Sequence, residues 1–265
     1  FQATEFLNIE IEDGVALPAY IIKPYNFDPT QKYPILFYLY GEPVGQTVND
    51  VWSKSLWHQY LAQQGYIIMS IDNRGTSTPL GRDWRHHLHY NIGIRSSEDQ
   101  SAAVRKLLDT HSYIDPDRVA VTGFSGGGSM SLNLLFRYPD LYNLAMAGGF
   151  ISNQLLYDTI YQERYMGLPD DNPEGYKNGS PMTHVENLKG HLLIYHGTQD
   201  DNCHYQSFET LVQELIKRNK QFTAVPYTGG THSIKSAGDG QGVAHNLKTK
   251  TWYLMNHMPP GPLPR

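Results

Sequence analysis

Two periodicities alternate along this chain, and together they predict eight strands separated by helices. Phe6–Glu12 alternates apolar and charged residues, the period-two pattern of a half-exposed strand. Asp13-Gly14 turns it into a second strand over Leu17–Lys23, so the two are expected to pair as a hairpin. Pro34–Tyr40 (PILFYLY) is continuously apolar, as a strand buried on both faces must be. A helix over Trp52–Gln64 and a strand over Tyr66–Ile71 follow, then a long loop over 73–95 rich in Gly, Arg and His. Ser96 or Ser97 is read as the cap of a helix running to Leu108, with Val104, Leu107 and Leu108 on one face. Arg118–Thr122 is the fifth strand, and from Met130 the spacing of Leu134, Leu135 and Tyr138 is helical. Leu144–Ala147 is a strand, Gln154–Tyr165 a helix, 167–190 loop-rich, and His191–Tyr195 (HLLIY) a buried strand. Phe208, Leu211, Val212, Leu215 and Ile216 mark an amphipathic helix, Phe222–Tyr227 the eighth strand, and a helix near 243–257 the end. The alternation specifies an α/β protein with a mostly parallel sheet covered on both faces. No internal repeat or linker interrupts it, so 1–265 reads as a single domain.

Composition narrows the partners. Across 265 residues the net charge is −5, which gives no support for nucleic-acid binding. No apolar run approaches membrane-spanning length. Cys203 is the only cysteine, so neither an intrachain disulfide nor a thiolate metal cluster is available. The chain opens at Phe1 almost directly into a strand, like a piece of a longer polypeptide, and its MPPGPLPR tail is expected to fray. No phosphate-cradling loop or dinucleotide fingerprint is present, so no cofactor is inferred. His86, His87 and His89 match no metal site of defined spacing and read as solvated loop residues.

The chemistry concentrates where the fifth strand meets its helix. Gly123-Phe124-Ser125-Gly126-Gly127 is a G-x-S-x-G sequence in a strand–turn–helix setting, which would hold Ser125 at the tip of a sharp elbow. A serine hydroxyl needs a base, and the base a carboxylate to fix its tautomer. In a parallel sheet such groups collect at the carboxyl ends of the strands. After the seventh strand HGTQDDN offers Asp200 and Asp201, between which spacing does not decide; after the eighth, TGGTHS offers His232. His204 and His245 are rival bases, both read as helical. The Gly126 amide would serve a tetrahedral oxyanion, and Tyr40-Gly41-Glu42-Pro43 follows the third strand, where a second donor is required. By position alone Tyr40 reads equally as an aromatic strand end.

GFSGGG, YGEP, DNRG, ERYMGLP and HGTQDDN, in this order, resemble the catalytic domain of the prolyl oligopeptidase family of serine peptidases, and its dipeptidyl peptidase IV branch in particular. The resemblance runs from the third strand to His232. It implies an α/β-hydrolase fold and hydrolysis of peptide substrates through an acyl-enzyme. Carried over by position, it makes Ser125 the nucleophile, Asp200 the acid and His232 the base, with Tyr40 and Gly126 as the oxyanion hole. It makes Asn202 a ligand of a substrate carbonyl. Tyr157 and Tyr161, four apart on one helical face, match tyrosines lining the pocket for the residue before the cleaved bond, and Ile151 and Cys203 match further apolar pocket positions. The Glu163–Arg164 pair and His196 read as structural. A β-propeller elsewhere in the parent chain, a homodimer, and a periplasmic or secreted location are expectations of the resemblance only.

Two positions depart from the branch. It usually has tyrosine directly after the serine, where this chain has Gly126, and a pocket tryptophan where Gln154 aligns. Losing two flat walls predicts a wider, more polar pocket with weaker proline selectivity and small residues accepted. An esterase or lipase on the same fold, or a catalytically silent binding module, are the alternatives, the latter opposed by three filled triad positions.

Overall fold

The computed structural model describes residues 1–51, 55–235 and 241–262. One sheet contains β1 (Thr4–Glu10), β2 (Ala16–Ile22), β3 (Tyr33–Tyr38), β4 (Ile67–Ile71), β5 (Ile114–Phe124), β6 (Leu144–Gly148), β7 (His191–Gly197) and β8 (Thr223–Tyr227). Their spatial order is β1-β2-β4-β3-β5-β6-β7-β8. β1 and β2 pair antiparallel as the expected hairpin, β2 joins β4 antiparallel, and every pairing from β4 to β8 is parallel. Each expected strand is therefore present. β5 starts earlier than its β-branched run because Pro116 masks the signal. Pairing with β3 passes from Ile114 straight to Val119, so Pro116 lies in a bulge and owes the ladder no N–H.

The helices are α1 (Leu56–Gln64), α2 (Arg82–His86), α3 (Arg95–Thr110), α4 (Gly126–Arg137), α5 (Thr159–Met166), α6 (Pro173–Gly179), α7 (Gln206–Lys217) and α8 (Gln241–His257). Successive residues of the central strands feed two cores. Phe37, Val121, Ala147 and Ile194 face α3, α4 and α7, whereas Leu36, Ala120, Met146 and Leu193 face α1 and α8. This is why those strands read as unbroken apolar runs.

Besides α2 within the stretch read as loop over 73–95 and α6 within 167–190, four expectations change. The helix over Trp52–Gln64 is described from Leu56; positions 52–54 lie outside the described residues. α3 is not capped by Ser96 or Ser97: its cap position is Ile94, Ser97 Oγ donates back to Gly93 O, and Ser96 Oγ donates to Met130 Sδ. The single helix over Gln154–Tyr165 is two elements, a 3₁₀ turn at Gln154–Leu156 and α5, with Tyr157 extended between them. Two start signals cause the break: Asn153 Oδ1 accepts from Leu155 N (3.0 Å) and Asp158 Oδ1 from Tyr161 N (2.8 Å). The tail is anchored through Gly261, not frayed, since Arg118 Nη1 donates to Pro259 O and Gly261 O, both at 2.8 Å, and Tyr66 donates to Met258 O. Residues 263–265 lie outside the described residues.

The parallel strands end on one edge of the sheet. There the loops after β3, β5, β7 and β8 bring Tyr40, Ser125, Asp200 and His232 to a common region.

Candidate active site

Ser125 stands between β5 and α4 with φ 60° and ψ −124°, a left-handed conformation that side chains avoid unless their surroundings impose it. The imposing contacts are visible. A Cβ on Gly123 would lie 2.3 Å from Gly127 O, and one on Gly127 2.3 Å from Leu39 O, so only glycine permits so tight a reversal. Ser125 N donates to Gly148 O at 2.9 Å, which ties the elbow to β6, and Ser125 O accepts from Gly128 N and Ser129 N, which starts α4 directly behind the serine.

Asp200 and His232 meet across the two loops. His232 Nδ1 lies 2.8 Å from Asp200 Oδ2. Asp200 Oδ1 accepts from Asn202 N (3.0 Å) and Cys203 N (2.9 Å). Buried His196 places Nε2 3.2 Å from Asp200 Oδ2 and 2.7 Å from Cys203 O. Burial alone would raise the Asp200 carboxyl, but hydrogen bonds from His196 and His232, the His232 charge and the Asn202 amide hold it well below the usual carboxylate range. Asp201 is exposed, whereas Asp200 is buried against His232. Because Asp200 is ionised, the proton belongs on His232 Nδ1, which leaves Nε2 free to act as a base. The His232 ring also lies 5.1 Å, centroid to centroid, from Phe124, the residue preceding the elbow serine.

Tyr40 bends over the elbow. A Cβ on Gly126 would come about 3.0 Å from its ring, and the Ser125 side chain and Gly126 backbone temper the upward shift of its phenol. Burial, then the nearby Glu42 charge, push its phenol up to about 12, so it remains a donor. A hydroxyl and an amide converging there can hold an oxyanion.

Beside Ser125 lies a cavity of about 20 Å³ lined by Ile151, Tyr157, Tyr161 and Cys203 together with Glu42 and Gln154. The expected pocket residues are thus brought together, although Tyr157 arrives from extended backbone; its ring meets that of Tyr161 edge-on at 5.3 Å. The Asn202 amide oxygen accepts from the Tyr157 hydroxyl at 2.9 Å. Cys203 Sγ is 4.0 Å from Ser125 Oγ, and burial pushes its thiol up, so it is a neutral wall. The pocket is polar, as its lost aromatics predict, but it is not wide. Glu42 is the residue that sequence reasoning passed over: its carboxyl fills the ground in front of Gly126. The only signal was a carboxylate inside YGEP, and nothing in sequence spacing brings position 42 to position 126.

The sheet order, the glycine-bounded elbow after β5 and the acid and histidine loops after β7 and β8 define an α/β-hydrolase fold. The profile of the prolyl oligopeptidase family (Peptidase_S9) matches residues 52–258, and this chain belongs to that family. It is 33% identical to dipeptidyl peptidase 8 of Mus musculus over 242 residues, which are 89% of this chain and 27% of that protein. It is 37% identical to prolyl endopeptidase FAP of Mus musculus over 220 residues, 82% of this chain and 28% of that protein. The solved structure of Porphyromonas gingivalis dipeptidyl peptidase 4 superposes with a TM-score of 0.92 at 33% identity, covering 97% of this chain and 36% of that one. A putative dipeptidyl aminopeptidase IV from Bacteroides ovatus gives 0.90 at 34% identity, with the same coverage. The chain therefore spans between about a quarter and two fifths of the lengths of these relatives.

Proposed function

We propose that this chain is the catalytic domain of a serine peptidase that cleaves peptide bonds through an acyl-enzyme, with dipeptidyl-peptidase-like substrates. The observation that carries the proposal is the 2.8 Å contact between His232 Nδ1 and Asp200 Oδ2 beside a serine held at a strained elbow. Ser125 Oγ attacks the scissile carbonyl while His232 Nε2 takes its proton. Asp200 holds the imidazole tautomer and steadies the imidazolium. Ser125 Oγ points at Cys203 Sγ, 4.0 Å away, and attack requires it to turn toward His232, in keeping with triads that tighten only when substrate binds. The Gly126 amide and Tyr40 hydroxyl take the oxyanion. His232 then protonates the leaving amine, and water hydrolyses the ester with the same groups in reverse order. Asn202 takes a substrate carbonyl, and Tyr157, Tyr161, Ile151 and Cys203 surround the residue before the cleaved bond, termed P1. His196 positions Asp200 through its Nε2–H.

The relatives' names support an exopeptidase reading through the dipeptidyl peptidases and an endopeptidase reading through FAP. Three of the four relatives named above are dipeptidyl peptidases or dipeptidyl aminopeptidases by name, which favours the former. A β-propeller elsewhere in the natural polypeptide, a homodimer and an absence of nucleic-acid partners belong to the same reading. Matched amide and ester substrates test it. A peptidase turns over both, with an acyl-enzyme burst on the ester, and Ser125→Ala abolishes both. Rapid ester turnover with no amide cleavage would make the chain an esterase instead.

A further inference from the structure

We propose that Glu42 sets the P1 preference, selecting small residues able to hydrogen-bond, serine foremost, over proline. This rests on the peptidase reading above and specifies its substrate.

The first ground is steric. A Cβ on Gly126 would lie 2.9 Å from Glu42 Oε2, so a side chain at 126 would oblige the Glu42 carboxyl to move from its present place. The bare glycine after the nucleophile does not open the pocket; it admits a carboxyl from the loop after β3. The opposite wall is tied down by hydrogen bonds. Gln154 N donates to Ser180 Oγ (2.9 Å), its Nε2 donates to Gly179 O (3.2 Å), and its Oε1 accepts from Gln162 Nε2 on α5. What remains in front of Ser125 has room for about one water, which suits a small P1 side chain. A pyrrolidine ring requires more, and flat apolar walls on both sides.

The second ground is polar satisfaction. Glu42 is 8% exposed, and no cation pairs with it among the described residues. Its described hydrogen bond is a long one: the Tyr161 hydroxyl lies 3.4 Å from Oε2 and 3.2 Å from Pro43 O, and its single proton serves one of them at a time. Burial pushes the Glu42 carboxyl up to about 7. A buried carboxyl left this short of partners is costly unless a ligand completes it. A P1 serine hydroxyl does so in either protonation state, donating to the carboxylate or accepting from the acid. Sites built to hydrogen-bond a substrate group reject analogues lacking it more strongly than apolar pockets reject a methylene.

The test compares kcat/KM for Gly-Ser, Gly-Ala and Gly-Pro aminomethylcoumarin amides, using the full natural polypeptide that contains this chain. The wild type should favour Gly-Ser over Gly-Pro by about tenfold or more. Glu42→Gly should shift that ratio toward proline by at least about tenfold, whereas Glu42→Met, of similar length, should keep proline out and lose only the advantage of serine over alanine. A wild type preferring proline overturns the proposal whatever the variants do, and so does an unchanged ratio in folded Glu42→Gly. If the wild type cleaves none of the amides, the peptidase reading fails and this proposal falls with it. Amide turnover with no serine preference sinks the proposal alone.

Discussion

Asp200 shows how much a single residue's surroundings decide. Two aspartates adjoin in the sequence, yet one is buried among His196, His232 and two backbone amides while the other faces solvent. Asp200→Asn should therefore lower kcat by about 10⁴ through the wrong His232 tautomer, and Asp201→Asn should leave it near wild type. Steady-state kinetics on a chromogenic amide checks this pair. The same surroundings make a pH prediction. Hydrogen bonds hold the folded-state pKa of Asp200 below its unfolded value, so its contribution to stability is full above the ordinary carboxylate range and is lost as pH falls through and below that range. The wild-type melting temperature should fall more steeply on acidification than that of Asp200→Asn, and equal slopes would contradict the assignment. The placement of Ser125 and His232 just after β5 and β8 was legible because chain order and strand ends pick those positions out. The place of Glu42 was not, because it depends on the absence of a side chain at position 126, and that is a relation in space.

Among the elements, the glycine-bounded turns place the side chains. The elbow was readable, since Gly123 and Gly127 mark a reversal where a Cβ meets backbone oxygen. The loop after β3 was readable only as YGEP. Its further requirement lies at Gly45, where a Cβ would come 1.9 Å from Tyr40 Cδ1, so the bare residue leaves the ring its position over the elbow. Gly45→Ala should displace that ring, lowering kcat by about 10² with little change in KM, the pattern of a lost transition-state donor. A rise in KM with kcat intact would instead make the loop a binding element. The helix expected over Gln154–Tyr165 was misread because periodicity registered apolar spacing and missed two competing caps, Asn153 and Asp158. The correction matters for function: extended backbone at Tyr157 turns its hydroxyl to Asn202 while its ring still meets Tyr161.

Across the whole molecule, topology supplies what no local signal can. β3 pairs with both β4 and β5, and β7 lies between β6 and β8, so segments far apart in sequence end on one edge of the sheet. Continuous apolar runs announced the buried strands, and their number and class followed from pattern alone. Their lateral order, the bulge at Pro116 and the anchoring of Pro259 and Gly261 by Arg118 did not, because each depends on contacts between distant segments. Convergence at that edge is the central claim, and intact-mass analysis after exposure to a fluorophosphonate tests it most directly. The account predicts one covalent adduct, mapped to Ser125, absent in Ser125→Ala and formed far more slowly in His232→Ala. No adduct on the folded wild-type protein, or one that persists at another residue in Ser125→Ala, would contradict it.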